Sequence, residues 1–121
     1  MILVDTSVWI DHLHQGDNGL SALLDSGEVL LHPFVRLEIA LGSIRNRRAI
    51  LEMLGTIPAA PVVTTEEALS LVEGRQLHAT GLALVDLHLI ASALVDETNL
   101  IWTRDRRLEE VAGRLGVSAT A

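Results

Sequence analysis

The chain of 121 residues has no cysteine and no lysine. Without cysteine there are no disulfides, no thiolate metal sites and no cysteine nucleophile, which fits a reducing compartment such as the cytoplasm. Without lysine there is no Walker A loop and no mechanism that needs a catalytic or phosphate-binding lysine. The nine basic residues are therefore all arginine, set against 16 Asp and Glu, for a formal charge of −7. Such acidity argues against nucleic-acid binding unless positive charge is gathered locally. Long apolar runs are missing too, and none approaches the roughly 18 residues of a membrane span. The N-terminal apolar stretch has no basic region before it and is cut by Asp5, so no signal peptide is expected.

Hydrophobic residues nevertheless make up 49% of the chain, enough to fill a core at this length. No repeat, low-complexity tract or linker divides it, and a single domain over residues 1–121 is expected. Short aliphatic runs alternate with helical patterns. Strands are predicted at Ile2–Val4, Val29–Leu31, Pro61–Val63, Leu100–Trp102 and Val117–Ala119. Helices are predicted over Val8–Leu13, Leu20–Ser26, Val35–Ile44 and Arg48–Leu54. Another starts behind Thr65 as cap and runs to about Leu77, one follows Asp86 through LHLIASALV, and the last runs from Asp105 to near Gly116. LHLIASALV is apolar almost all round and should be buried. Strands separated by helices imply a three-layer α/β/α fold with a central, mainly parallel sheet of four or five short strands.

Four acids stand out in this pattern. Asp5 follows the first strand and Asp105 follows Leu100–Trp102, and open parallel sheets bind ligands beyond the carboxyl ends of their strands. Glu38 sits among Leu37, Ile39, Ala40 and Leu41, and Asp86 is the single acid in GLALVDLHLIASALV. Each has an ordinary explanation. Asp5, Asp86 and Asp105 can cap helices, and Glu38 can be exposed or paired with arginine. Together they suggest something more, because clustered carboxylates cannot all ionise without cations. Oxygen-only donors suit Mg²⁺ or Mn²⁺, which activate water and stabilise charge on a phosphodiester in transit.

The segments ILVDTSVWIDHL, HPFVRLEIALG, LVDLHLIASAL and LIWTRDRRL, in this order, resemble the four acidic motifs of the PIN domain. More closely, they resemble the VapC ribonuclease toxins of type II toxin–antitoxin systems. The likeness extends from Met1 to about Val117. It implies an Mg²⁺- or Mn²⁺-dependent endoribonuclease with Asp5 and Asp86 as principal metal ligands, completed by Glu38 and Asp105 directly or through water. Ser7 and Thr103 would be hydroxyls that orient the carboxylates, leaving Thr6 or Ser7 to cap the following helix. It also implies a homodimer, a small VapB-like antitoxin that neutralises the enzyme, contact with DNA only through that antitoxin, and no membrane.

His12, His14, His32, His78 and His88 lack zinc-like spacing and are assigned surface or packing roles. Arg45, Arg47 and Arg48, and Arg104, Arg106 and Arg107, form two basic groups, each either a solvated face or a guide for RNA phosphates. Removing the four site charges from −7 leaves −3, so much of the acidity belongs to the site. Two other functions compete with the nuclease. A receiver-type phosphoacceptor shares the length and the acidic pocket but relies on a lysine that is absent here, and a non-catalytic interaction module is the third reading.

Overall fold

The computed structural model describes residues 1–119, so the last two positions of the expected domain lie outside the described residues. Three parallel strands form the sheet: β1 (Ile2–Val4), β2 (Val29–Leu30) and β3 (Leu100–Trp102), in the order β2-β1-β3. Central β1 sets Ile2 opposite Val29 and Leu100, and Leu3 opposite Leu30 and Ile101. The strands are almost wholly aliphatic because a parallel sheet is covered on both faces. Leu3, Val4, Val29 and Ile101 are accordingly buried. Helices α1 (Thr6–Gln15) and α2 (Asn18–Asp25) join β1 to β2. Between β2 and β3 come α3 (Pro33–Leu41), α4 (Arg47–Leu54), α5 (Thr65–Gly74) and α6 (Leu84–Val95), and α7 (Arg106–Arg114) follows β3.

The sheet thus has three strands among the described residues, against the four or five expected. Each missing strand is represented by a single parallel bridge, Ala59 beside Leu31 and Ser118 beside Ile101. Val117–Ala119 lies where the fifth strand was expected but pairs only around Ile101. At the other edge the pairing falls at Ala59 rather than at Pro61–Val63. Pro58 and Pro61 have no N–H to donate, which keeps this edge from growing into a ladder. Most helix limits shift by a few residues, α3 for example running from Pro33 to Leu41 rather than from Val35 to Ile44. Thr64, not Thr65, caps α5, in a reciprocal box with Glu67, and α5 stops at Gly74, with Gln76 beyond it at φ 55°.

The order of pairing determines where a ligand can sit. From β1 the chain steps to β2 and then to Ala59 in one direction, and afterwards crosses back to β3 and on to Ser118 in the other. Right-handed crossovers then place α1–α4 on one face and α5–α7 on the opposite face. Packing of α1 on α3 and of α5 on α6 agrees with this. The direction reverses between β1 and β3, so the region beyond their carboxyl ends is the topological switch point at which open α/β sheets bind ligands. Helix α6 backs it as a buried element, with every residue from His88 to Ala93 buried.

Candidate active site

Asp5 directly follows β1 at this switch point. Its N–H donates to the Trp102 carbonyl (2.9 Å), tying β1 to β3, and its own carbonyl accepts the first N–H groups of α1, from Val8 and Trp9. The side chain is 6% exposed and does not cap the helix. Its Oδ2 instead accepts hydrogen bonds from Ser7 Oγ (2.8 Å) and Thr103 Oγ1 (2.7 Å). The same two hydroxyl oxygens accept from the backbone: Ser7 Oγ from Arg104 N–H (3.0 Å), Thr103 Oγ1 from Asp105 N–H (2.9 Å). Each hydroxyl thus bridges the main chain and Asp5 Oδ2, and the two hydroxyl oxygens lie 3.4 Å apart. Neither Thr6 nor Ser7 caps α1, contrary to expectation, because both side chains face the site.

Thr6 is the site residue that the sequence reading missed. Its Oγ1 donates to Glu38 Oε1 on α3 (2.6 Å). Successive residues of a helix are rotated by about 100°, so Thr6 and Ser7 point in different directions, one to Glu38 and the other to Asp5. The paired hydroxyls of Asp5-Thr6-Ser7 were the available signal, but the partner lies 32 positions away. Asp86 sits inside the first turn of α6 rather than before it, and its Oδ2 accepts from Ala83 N–H (3.0 Å). Asp105 caps α7, with Oδ1 accepting from the N–H groups of Arg107 (2.9 Å) and Leu108 (3.1 Å). The capping role and the strand-end position foreseen for Asp105 therefore coexist.

The four acids meet electrostatically at Asp86. Burial holds its carboxyl above the ordinary value, the Ala83 N–H pulls it back, and the charges of Asp5, Asp105 and Glu38 push it up. No arginine or histidine is ion-paired with any of the four among the described residues. One oxygen of each acid is held by a protein donor, while its other oxygen has no hydrogen-bond partner among the described residues. As they stand, no three His, Asp or Glu side chains among the described residues are gathered closely enough to hold an ion. The donor set still fits a hard divalent cation. It is all oxygen, anchored on one side, and carries negative charge that no side chain neutralises.

The remaining polar residues sort differently. His32 and His88 are buried packing residues whose rings adjoin each other and Phe34, and burial, with His88 adding to it, pushes His32 down to about 4. Arg47 donates to the Ala40 and Gly42 carbonyls at the end of α3, where a cation also suits the helix dipole. Arg104 pairs with Asp11 and Asp17, and Arg106 lies 3.7 Å from Glu110. Within the two basic groups, those three guanidinium groups thus have protein partners.

The family model of the PIN domain matches residues 2–114. Ribonuclease VapC32 from two strains of Mycobacterium tuberculosis is 45% identical to this chain over 118 residues, covering 98% of the chain and 95% of the relative. Among solved structures, FitAB bound to an IR36 DNA fragment superposes with a TM-score of 0.60 at 21% identity. That match covers 93% of this chain and 91% of the other, and it shows a shared fold. No described helix is long and apolar enough to cross a membrane.

Proposed function

The chain belongs to the PIN-domain family as a VapC-type endoribonuclease, and from this premise we propose that it cuts RNA with Mg²⁺ or Mn²⁺ held by Asp5, Glu38, Asp86 and Asp105. The observation that carries the site is Asp86, a partly buried carboxylate raised by burial and by three other acids, with no cationic side chain to offset them. A bound ion of this kind supplies an activated water and stabilises charge developing on the phosphodiester. The protein's part is to hold the oxygens. Ser7 and Thr103 turn Asp5 so that Oδ2 faces them and Oδ1 is left for a ligand. Thr6 does the same for Glu38, the Ala83 N–H for Asp86 and the first turn of α7 for Asp105.

The receiver-type and non-catalytic alternatives give way to the match with the PIN domain and a named ribonuclease. The same kinship supports a small VapB-like antitoxin as partner, a homodimer, contact with DNA only through the antitoxin, and action in the cytoplasm. The direct test is to make Asp5→Asn and Asp86→Asn and follow cleavage of an RNA pool in Mg²⁺. Each variant should lose cleavage while keeping the wild-type far-ultraviolet dichroism. Cleavage at the wild-type rate by either would overturn its place in the site, and undiminished activity in EDTA would overturn the metal reading.

A further inference from the structure

Arg104 lies between two residues of the site, Thr103 and Asp105, yet its side chain turns away from both. Its guanidinium pairs with Asp11 on α1 and with Asp17, the cap of α2, and stands 5.7 Å from the centre of the Trp102 ring. Its backbone N–H meanwhile donates to Ser7 Oγ. The tripeptide is thus held from two sides: through the main chain to the hydroxyl that orients Asp5, and through the side chain to two helices on the far face of the sheet. Asp17 is held in turn, since its Oδ1 accepts from Leu20 N–H (2.9 Å) and its own N–H donates to His12 Nδ1 (3.0 Å). The Leu20 N–H and then Arg104 keep its carboxyl below the ordinary value, so the clamp stays charged at neutral pH.

We infer that Arg104 is a positioning residue: its clamp on Asp11 and Asp17 sets the Thr103–Asp105 segment against β1 and so aligns Asp5 and Asp105. The inference rests on the metal site proposed above. A fork that bridges two carboxylates fixes a direction, which a lysine at this position would not do. The obvious competing role, contact with RNA phosphate, requires the guanidinium to leave two acids that already neutralise it.

The two roles separate in one set of variants, Arg104→Gln and Asp11→Asn/Asp17→Asn, with folding followed by dichroism. Positioning predicts that Arg104→Gln lowers kcat by about 10–100-fold, as small misplacements do, with KM nearly unchanged. It also predicts roughly tenfold weaker Mn²⁺ binding without RNA, read from the free-ion electron paramagnetic resonance signal. Asp11→Asn/Asp17→Asn should reproduce both losses and add little in the Arg104→Gln background. Phosphate contact predicts instead a raised KM, a salt slope of log KM smaller by about one, and no effect of the aspartate changes. That pattern, or wild-type kcat and Mn²⁺ affinity in Arg104→Gln, overturns the inference. Should Arg104→Gln fail to fold, the aspartate pair alone decides by the same two readouts. Asp5→Asn tells the two proposals apart: if it remains active, the site assignment fails whatever Arg104 does.

Discussion

Replacing Asp86 by asparagine should raise the melting temperature of the metal-free protein at pH 8 and lower it once Mn²⁺ is in excess. Asparagine keeps an oxygen to accept the Ala83 N–H, so the change removes charge with little loss of hydrogen bonding. In the wild type, burial and the charges of Asp5, Asp105 and Glu38 hold the Asp86 carboxyl above its ordinary value of 3.8. The folded state therefore keeps its proton to higher pH than the unfolded state does. Stability from this group is complete below 3.8 and is lost as pH rises through the raised folded value. Three like-charge neighbours at about 0.2–0.5 kcal/mol each amount to about 1 kcal/mol, or about 4 °C for a domain of this size.

The metal limb is larger. Mn²⁺ at a hundred times its Kd stabilises the wild type by about 2.7 kcal/mol, whereas a hundredfold weaker variant gains only about 0.4 kcal/mol. The difference exceeds the roughly 1 kcal/mol of relieved repulsion, so the order of melting must invert. The assay is differential scanning fluorimetry of both proteins from pH 8 to pH 4, in EDTA and in Mn²⁺. In EDTA the gap should close towards the acid end. Equal melting temperatures in EDTA at every pH would refute convergence of the four carboxylates. A single-site helix cap also fails to explain an inversion, because a cap has no use for Mn²⁺.

Thr103→Val leaves Asp5 with one hydroxyl and should weaken Mn²⁺ binding by about 10–100-fold, measurable by titration calorimetry, with Ser7→Ala acting in the same direction. Ca²⁺ should compete with Mn²⁺ for the protein yet support little cleavage, since it accepts looser geometry than in-line attack requires, and rapid cleavage in Ca²⁺ would contradict this. His32 is neutral in the native state because its folded value lies near 4, so stability held above pH 6.5 should drain away as pH falls towards 4, by about 3 kcal/mol. His32→Asn retains an acceptor for the Phe34 N–H and should flatten that slope in urea unfolding, whereas an unchanged slope would assign the acid sensitivity elsewhere.

Features carried by neighbours along the chain were legible from the residues alone. Apolar runs placed β1, β2 and β3, an all-round apolar pattern marked α6 as buried, and Asp5 and Asp105 could be placed at strand ends. These features depend on periodicity and capping, which act over a few residues, and the four acidic segments in their order carry the likeness to the PIN domain. The weak sheet edges were less legible, because a short aliphatic segment such as Pro61–Val63 reads the same whether or not a partner lies beside it. Side-chain direction across long separations was decided only in three dimensions. Thr6 meets Glu38 across 32 positions, Thr103 meets Asp5 across 98, and Arg104 reaches Asp11 across 93. An arginine beside an acidic site looks like a phosphate guide until the fold brings two other carboxylates to it. Local sequence sets which chemical groups are present and which element bears each; the packing of α1 on α3 and the pairing of β1 with β3 decide which of them touch.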